Sequence, residues 1–236
     1  MRVLYSVVAV VALVACEVPE VPDDLPSTYI PSPSPTTYDV AVHLEQEDDP
    51  RHAVTYSVAV SSCGDFWQGT AVAVDAHTLV TNRHVVGNLD TSEVTITDIH
   101  GEILFATVTA ISTRADLAVI TSDEALPVTA TLADSNAALA DRVLRVGYPS
   151  GDFDTSTGIV ANYTRLDEFP NVQVLVSTAE GDPGSSGSPV FDSEGQIVGI
   201  HFGIRGDGYT LSMPVSEVHR ILSGKDTRPP GVPVCD

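Results

Sequence analysis

The chain is poor in basic residues. It has 11 Lys and Arg against 32 Asp and Glu in 236 residues, which gives a formal net charge of −21. Binding to nucleic acid requires clustered Lys and Arg that face the phosphates, and adsorption to anionic lipid requires a basic patch. The composition therefore disfavours a nucleic-acid partner and any membrane contact that depends on positive charge.

The N-terminal apolar run is too short to span a membrane, which takes about 20 residues as a helix. It follows one Arg and ends at "LVAC", so residues 1–16 fit a secretory signal. "LVAC" resembles a bacterial lipobox, in which Cys16 would carry lipid, and an ordinary signal peptide cleaved near Ala15 is the alternative. By analogy with enterobacterial sorting, Glu17 favours the outer membrane or cell surface over the inner membrane.

Cysteine is scarce as well, with three in the chain. If Cys16 carries lipid, Cys63 and Cys235 remain, and export permits a disulfide between them. Two unpaired thiols are the alternative. No His and Cys cluster has the spacing of metal ligands, so the sequence predicts no metal site and no cofactor.

Residues 17–37 are rich in proline, with prolines at positions 19, 22, 26, 31, 33 and 35. This composition favours a stiff polyproline-type spacer, which at about 3.1 Å per residue would reach roughly 60 Å. We expect a tether that lifts a domain off the membrane. A disordered pro-segment is the alternative.

From about residue 38 the chain lacks long helical periodicity. Short runs rich in β-branched residues follow one another, many of them bounded by Gly, Asp, Asn or Pro. This pattern predicts an all-β sandwich or barrel. One late helix is expected in "VSEVHRILSG", capped by Ser216 and stopped by Gly224, and the proline-rich tail 225–236 is expected to be irregular.

Three segments carry residues suited to acyl transfer. His84 in "TLVTNRHVVG" follows a β-rich run, and Asp116 in "STRADLAVITS" precedes an apolar run where a carboxylate needs a partner. Ser186 lies in "EGDPGSSGSPVF", where Ser185 and Ser188 are alternatives. Taken singly, each has an ordinary explanation: a structural imidazole, a turn Asp and a solvated Gly/Ser loop.

Taken together, the three segments resemble the trypsin-like (chymotrypsin-fold) serine peptidases, in the bacterial HtrA-like and glutamyl-endopeptidase-like branch. "GTAVAVDAHTLVTNRHVV", "ADLAVI" and "GDPGSSGSPVFDSEGQIVGIHFG" match its His, Asp and Ser segments. The resemblance implies two packed six-stranded Greek-key β-barrels and a short C-terminal helix within a peptidase domain over 38–224. The first barrel would cover about 38–125 and the second about 126–224.

The same resemblance implies a serine endopeptidase that acts on proteins or peptides. His84 would be the general base and then the acid, Asp116 would orient it, and Ser186 would be the nucleophile. The backbone amides of Gly184 and Ser186 would form the oxyanion hole. Ser188 departs from the Gly that HtrA-like members usually have, and Ser185 from the Asn or Asp of many relatives, but neither is a triad position.

Two residues predict different substrate pockets. Glu180 stands where trypsin-like members place the acid that selects Lys or Arg at P1, the residue before the scissile bond. His201 in "GIHFG" stands where glutamyl endopeptidases receive an acidic P1 side chain, with Gly203 on the pocket wall. We favour His201. The alternatives are that Glu180 and His201 pair and cancel, or that Glu180 faces solvent and a small aliphatic P1 is preferred.

Other functions remain as alternatives. A catalytically silent member of the fold could serve as a binding module, and a zymogen could require cleavage within residues 17–54. HtrA-like enzymes usually carry a PDZ domain after the peptidase. Only about a dozen residues follow the predicted last helix, so no PDZ domain is expected.

Overall fold

The computed structural model describes residues 49–62, 65–87 and 93–231. Predictions that concern Cys16, Cys63, Cys235 and residues 1–37 lie outside these ranges. The strands are β1 Thr55–Ser62, β2 Asp65–Asp75, β3 Thr78–Thr81, β4 Glu93–Thr97, β5 Ile103–Ser112, β6 Ala118–Ser122, β7 Arg142–Gly147, β8 Asp154–Leu166, β9 Phe169–Ser177, β10 Pro189–Phe191, β11 Ile197–Ile204, β12 Thr210–Pro214 and β13 Thr227–Arg228. The helices are α1 Pro50–Ala53, α2 Arg83–Val86 and α3 Val215–Leu222, with a 3₁₀ turn at Pro149–Gly151.

The strands form two rings with the same connectivity. In the first, antiparallel pairing runs β1-β2-β3-β6-β5-β4, and β4 returns to β1. In the second, the closed order is β7-β8-β9-β12-β11-β10. Each ring therefore joins its own strands in the order 1-2-3-6-5-4, a Greek-key arrangement. The predicted all-β fold of two six-stranded barrels is confirmed.

The strands form where the sequence alternates between apolar and exposed positions. In β5, "ILFATVTAIS", Leu104 and Ala106 are 9% and 7% exposed, whereas Ile103 and Phe105 are 62% and 63% exposed. Successive side chains of a strand point to opposite faces, so one face of β5 lines the barrel interior. Strands β10 and β12 are buried on both faces instead.

Two apolar clusters fill the molecule. One lies inside the first barrel and the other is centred on the second barrel. The second cluster also includes side chains of the first barrel, namely Val54, Val72, Val80, Ala115, Leu117 and Val119. Because the two barrels share this core, their packing fixes how the loops of one barrel face those of the other.

The C-terminal region departs from two expectations. Helix α3 is present, but it begins at Val215 after Pro214, so Ser216 lies inside the helix and is not its cap. The tail expected to be irregular contributes the two-residue strand β13, which pairs with β5. Within the described residues, no helix combines the length and the apolar character needed to cross a membrane.

Candidate active site

His84 and Asp116 are in direct contact. The His84 Nδ1 and the Asp116 Oδ2 are 2.6 Å apart, and the His84 backbone N–H donates to Asp116 Oδ1 at 3.0 Å. The Asp116 side chain is 7% exposed and the His84 side chain 48% exposed. A carboxylate at Nδ1 favours the tautomer whose proton is on that nitrogen, which leaves Nε2 free to accept a proton.

Local turns place both residues. Helix α2 follows β3 and carries His84 beside the start of β6, because β3 and β6 pair in register. Asn82 Nδ2 donates to the Asp116 carbonyl at 2.8 Å, which holds the two segments together. Before Asp116, Ser112 Oγ accepts the amides of Arg114 and Ala115 at 3.3 and 3.0 Å, so the turn between β5 and β6 is closed by its own hydroxyl.

The serine-rich loop separates its three serines by burial. Ser185 and Ser188 are 0% exposed, whereas Ser186 is partly exposed. Ser185 Oγ accepts the Asp182 amide at 3.1 Å, and the Ser185 carbonyl accepts the Ser188 amide at 3.0 Å. Ser185 therefore holds the shape of the loop, and Ser186 is the serine of the three that is accessible to solvent.

This loop is docked on the first barrel next to α2. The Thr70 amide of β2 donates to the Ser186 carbonyl at 2.7 Å. A Cβ placed on Gly69 would lie 2.7 Å from Val85 and 2.9 Å from the Ser186 carbonyl oxygen, so α2 and the serine loop meet over this glycine. The structure thus brings His84 and Ser186 to one side of β2, although no hydrogen bond joins Ser186 Oγ to His84 Nε2.

The loop also presents two backbone amides without acceptors. The Ser185 amide donates to the Asp182 carbonyl at 2.9 Å, but the amides of Gly184 and Ser186 on either side donate to no other described residue. Gly184 has a φ of +97°, and a Cβ there would lie 2.6 Å from the Ser150 backbone nitrogen. Glycine is therefore required at 184, and its conformation leaves two N–H groups free to bind an anion.

Residues 69–200 match the family described as trypsin-like peptidase domain. The chain belongs to this family. Its curated relatives include the serine protease Do-like HtrA of Lactobacillus helveticus, 31% identical over 172 residues, which cover 64% of this chain and 41% of the relative. Another, from Halomonas elongata, is named "Probable periplasmic serine endoprotease DegP-like" and is 32% identical over 146 residues, which cover 60% of this chain and 30% of the relative.

The chain thus spans less than half the length of these curated relatives. Among solved structures, the active form of the Rv3671c protease of M. tuberculosis aligns with a TM-score of 0.68 at 24% identity, covering 78% of this chain and 86% of that one. At this identity the likeness shows the fold alone. The predicted family of trypsin-like, HtrA-related serine proteases is confirmed.

In this trypsin-like domain, the three residues predicted for the substrate pocket differ in exposure to solvent. His201 is 2% exposed, and burial, Arg145 and His84 together lower its pKa to about 3. The Glu180 side chain is exposed and Gly203 is partly exposed, with no atom within 4 Å of a Cβ placed on it. Glu180 and His201 therefore do not form the mutually cancelling pair considered above.

Sequence reasoning missed Arg145, a residue of β7 in the second barrel that is only 1% exposed. Its strand, "RVLRVG", gives a weak signal. A charged residue inside a strand is normally expected to be exposed. In β7, however, the last three residues, 145–147, are all buried. Thr70, whose amide holds the serine loop, was also missed, because a threonine inside a strand carries no signal of a long-range contact.

Proposed function

We propose that the chain is a serine endopeptidase that cleaves peptide bonds through Ser186, His84 and Asp116. The observation that carries the proposal is the Asp116 carboxylate, which binds both the backbone N–H and the Nδ1 of His84, while the Thr70 amide of β2 holds the backbone of the partly exposed Ser186. A nucleophile, a base and a group that orients the base are the elements of covalent acyl transfer.

Acylation follows from this arrangement. His84 Nε2 accepts the Ser186 hydroxyl proton as Oγ attacks the carbonyl carbon of the substrate. The negative charge that develops on the carbonyl oxygen is stabilised by the free amides of Gly184 and Ser186. Asp116 stabilises the imidazolium, which then donates its proton to the leaving amine as the C–N bond breaks.

Deacylation repeats the same steps with water. His84 takes a proton from the water that attacks the acyl-enzyme, and a second oxyanion forms in the same place. Its collapse releases the carboxylic acid product and returns the proton to Ser186 Oγ. No cofactor is needed in either half-reaction.

The substrate would be an extended segment of a protein or peptide. It would pair with the backbone of β11 beyond His201 and direct its P1 side chain between Gly203 and the segment that begins at Glu180. The names of the relatives support a protein substrate, since they are proteases. No nucleic-acid partner is proposed, given the net charge of −21.

For its location, we propose an exported protein anchored by lipid on Cys16 and held away from the envelope by residues 17–37. The lipobox-like "LVAC" and the proline spacing support this. The word periplasmic in the name of the Halomonas relative supports export. Mass spectrometry of the purified N-terminal peptide tests it, because a diacylglycerol on Cys16 would be expected.

A fluorophosphonate tests the catalytic proposal. Intact mass of the full chain should show one adduct, Ser186→Ala should show none, and Ser193→Ala, at an exposed serine of another loop, should label like the wild type. If Ser186→Ala is labelled as fully as the wild type, Ser186 is not the nucleophile.

Ser186 Oγ and His84 Nε2 are not hydrogen-bonded to each other, which is compatible with a zymogen whose catalytic residues come together after cleavage. Labelling that appears only after limited proteolysis of the full chain would show that an N-terminal segment must be removed first. If no labelling appears even then, the silent binding module is the better description.

A further inference from the structure

Thr70 of β2 contacts the loop of residues 182–188 through its side chain as well as its backbone. Its amide donates to the Ser186 carbonyl at 2.7 Å, and its hydroxyl donates to the Gly184 carbonyl at 3.3 Å. The same hydroxyl oxygen accepts the Tyr148 amide at 3.0 Å. Thr70 is 0% exposed, so its hydroxyl is fully hydrogen-bonded within the protein, as donor and as acceptor.

The carbonyls that Thr70 holds belong to the same two residues that present free amides. The Gly184 and Ser186 amides find no acceptor among the described residues, whereas both carbonyls accept from Thr70. Peptide units are planar, so the directions of the N–H and the C=O of one residue are related through its own φ and ψ. A partner on the carbonyl therefore constrains where the amide of that residue points.

Gly184 is the residue at which this constraint matters most. Its φ is +97°, and glycine populates positive and negative φ about equally well, so its own conformation does not fix the amide. Contacts on both sides fix it instead. The Ser150 amide donates at 3.1 Å to the Pro183 carbonyl, which shares a peptide unit with the Gly184 N–H, and the Thr70 hydroxyl holds the Gly184 carbonyl. Turning the amide away would break one of these hydrogen bonds.

Thr70 also contacts the strand that leads to His84. Its carbonyl accepts the Thr81 hydroxyl at 2.7 Å, and Thr81 is the last residue of β3, just before helix α2. A Cβ placed on Gly187 would lie 1.8 Å from the Thr70 carbonyl oxygen, so the loop passes directly against β2. One residue of the first barrel thus contacts both the loop that carries Ser186 and the strand before His84.

We propose that Thr70 is a positioning residue for the oxyanion site, because its hydroxyl keeps the Gly184 amide aimed at the carbonyl oxygen of the substrate. It acts from the first barrel, whereas the amides belong to the second. The inference rests on the proposed function, since the oxyanion forms only when Ser186 attacks. The amides act on charge that develops in the transition state, so loss of the hydroxyl should lower kcat and leave KM nearly unchanged.

Thr70→Val tests the hydroxyl, because valine has nearly the same shape and keeps the backbone amide. We expect kcat for a peptide substrate to fall about 10- to 100-fold, less than the roughly 10²–10³-fold cost of removing a whole oxyanion donor. Thr70→Ser, which restores the hydroxyl, should recover most of the activity. If Thr70→Val does not fold, Thr70→Ala removes the same hydroxyl without placing a methyl group against the Tyr148 amide.

Thr55→Val is the matched control. Thr55 is 1% exposed and its hydroxyl donates to the Arg51 carbonyl at 2.8 Å, so this variant also loses a buried hydrogen bond to a backbone carbonyl. That bond does not involve residues 182–188, and the variant should keep the wild-type kcat. Equal losses of kcat in Thr70→Val and Thr55→Val, or an unchanged kcat in Thr70→Val, would overturn the proposal.

Hydrogen exchange keeps this inference separate from the catalytic proposal. In full-chain Ser186→Ala, mass spectrometry follows deuterium uptake in peptides that cover residues 182–188. Adding Thr70→Val should speed uptake there, and adding Thr55→Val should not. This result supports the inference whether or not fluorophosphonate labels the wild type. Unchanged uptake in the Thr70→Val variant overturns it, even if Ser186 is labelled.

Discussion

Arg114 and Glu217 join the turn that carries Asp116 to helix α3. Arg114 Nε donates to Glu217 Oε2 at 2.9 Å and Nη2 donates to Oε1 at 3.0 Å. Nη2 also donates to the Asn171 carbonyl in β9 at 2.5 Å. The Glu217 side chain is 7% exposed, and its hydrogen bonds raise the pKa of Arg114. The turn that carries Asp116 in the first barrel is therefore bonded to β9 of the second barrel and to α3, which follows that barrel.

Removal of Arg114 should destabilise the protein more than removal of both charges. Arg114→Ala leaves the Glu217 carboxylate buried without its main partner, at a cost of about 2–3 kcal/mol in the free energy of unfolding. The double variant Arg114→Ala/Glu217→Gln should recover part of that loss. Urea unfolding of the wild type, the two single variants and the double variant measures this double-mutant cycle. Strictly additive effects would mean that the pair contributes no coupling energy.

Asp116→Asn should lower kcat by about 10³–10⁴-fold while the protein remains folded. The amide would occupy the same space, but it has one acceptor oxygen where the carboxylate accepts from both the His84 backbone N–H and Nδ1–H, and it carries no negative charge to stabilise an imidazolium. Asp123→Asn, at an exposed position just after β6, is the matched control and should keep wild-type activity. Cleavage of a chromogenic peptide measures both, and equal activity of the two variants would remove Asp116 from the proposed mechanism.

Gly184→Ala should abolish most activity, and Gly195→Ala should not. Both glycines have positive φ, +97° and +77°. The alanine at 184 would also collide with the Ser150 backbone, whereas nothing lies within 4 Å of a Cβ at 195. We expect the 195 variant to lose only about 1 kcal/mol of stability from backbone strain. Fluorophosphonate labelling rates compare the two, and an unchanged rate at 184 would contradict the oxyanion assignment.

The sequence predicted the features that depend on local pattern. Alternation in segments such as β5 gives strands, and three short motifs mark His84, Asp116 and Ser186. That these three residues form one site was predicted from the resemblance to a family. Their separation in the sequence does not predict it, because residues 84 and 186 come from different barrels. The contact of the Thr70 amide with the serine loop spans 116 residues and has no local signal.

The features that the sequence did not predict depend on tertiary contacts. Ser216 is a good capping residue, yet α3 begins after Pro214, and the Asn136 side chain accepts the Ser216 amide from 80 residues away. Arg145 lies in a strand, where a charge normally predicts exposure. It is buried because a carbonyl 35 residues later and a carboxylate 9 residues later both accept from it.

The buried His201 predicts a specific dependence of stability on pH. Its folded-state pKa is about 3, below the ordinary value of 6.5, because burial opposes the charged form. Between these values the unfolded chain binds a proton that the folded protein does not, so stability is lost as pH falls from 6.5 toward 3. The expected contribution to the free energy of unfolding is about 1.4 kcal/mol per pH unit in that window and none above it.

His201→Gln should flatten this part of the profile of stability against pH, whereas His100→Gln, at an exposed turn, should not. Urea unfolding at pH 7.0 to 4.5 measures the slopes, and parallel profiles for the wild type and His201→Gln would show that His201 is protonated in the folded state.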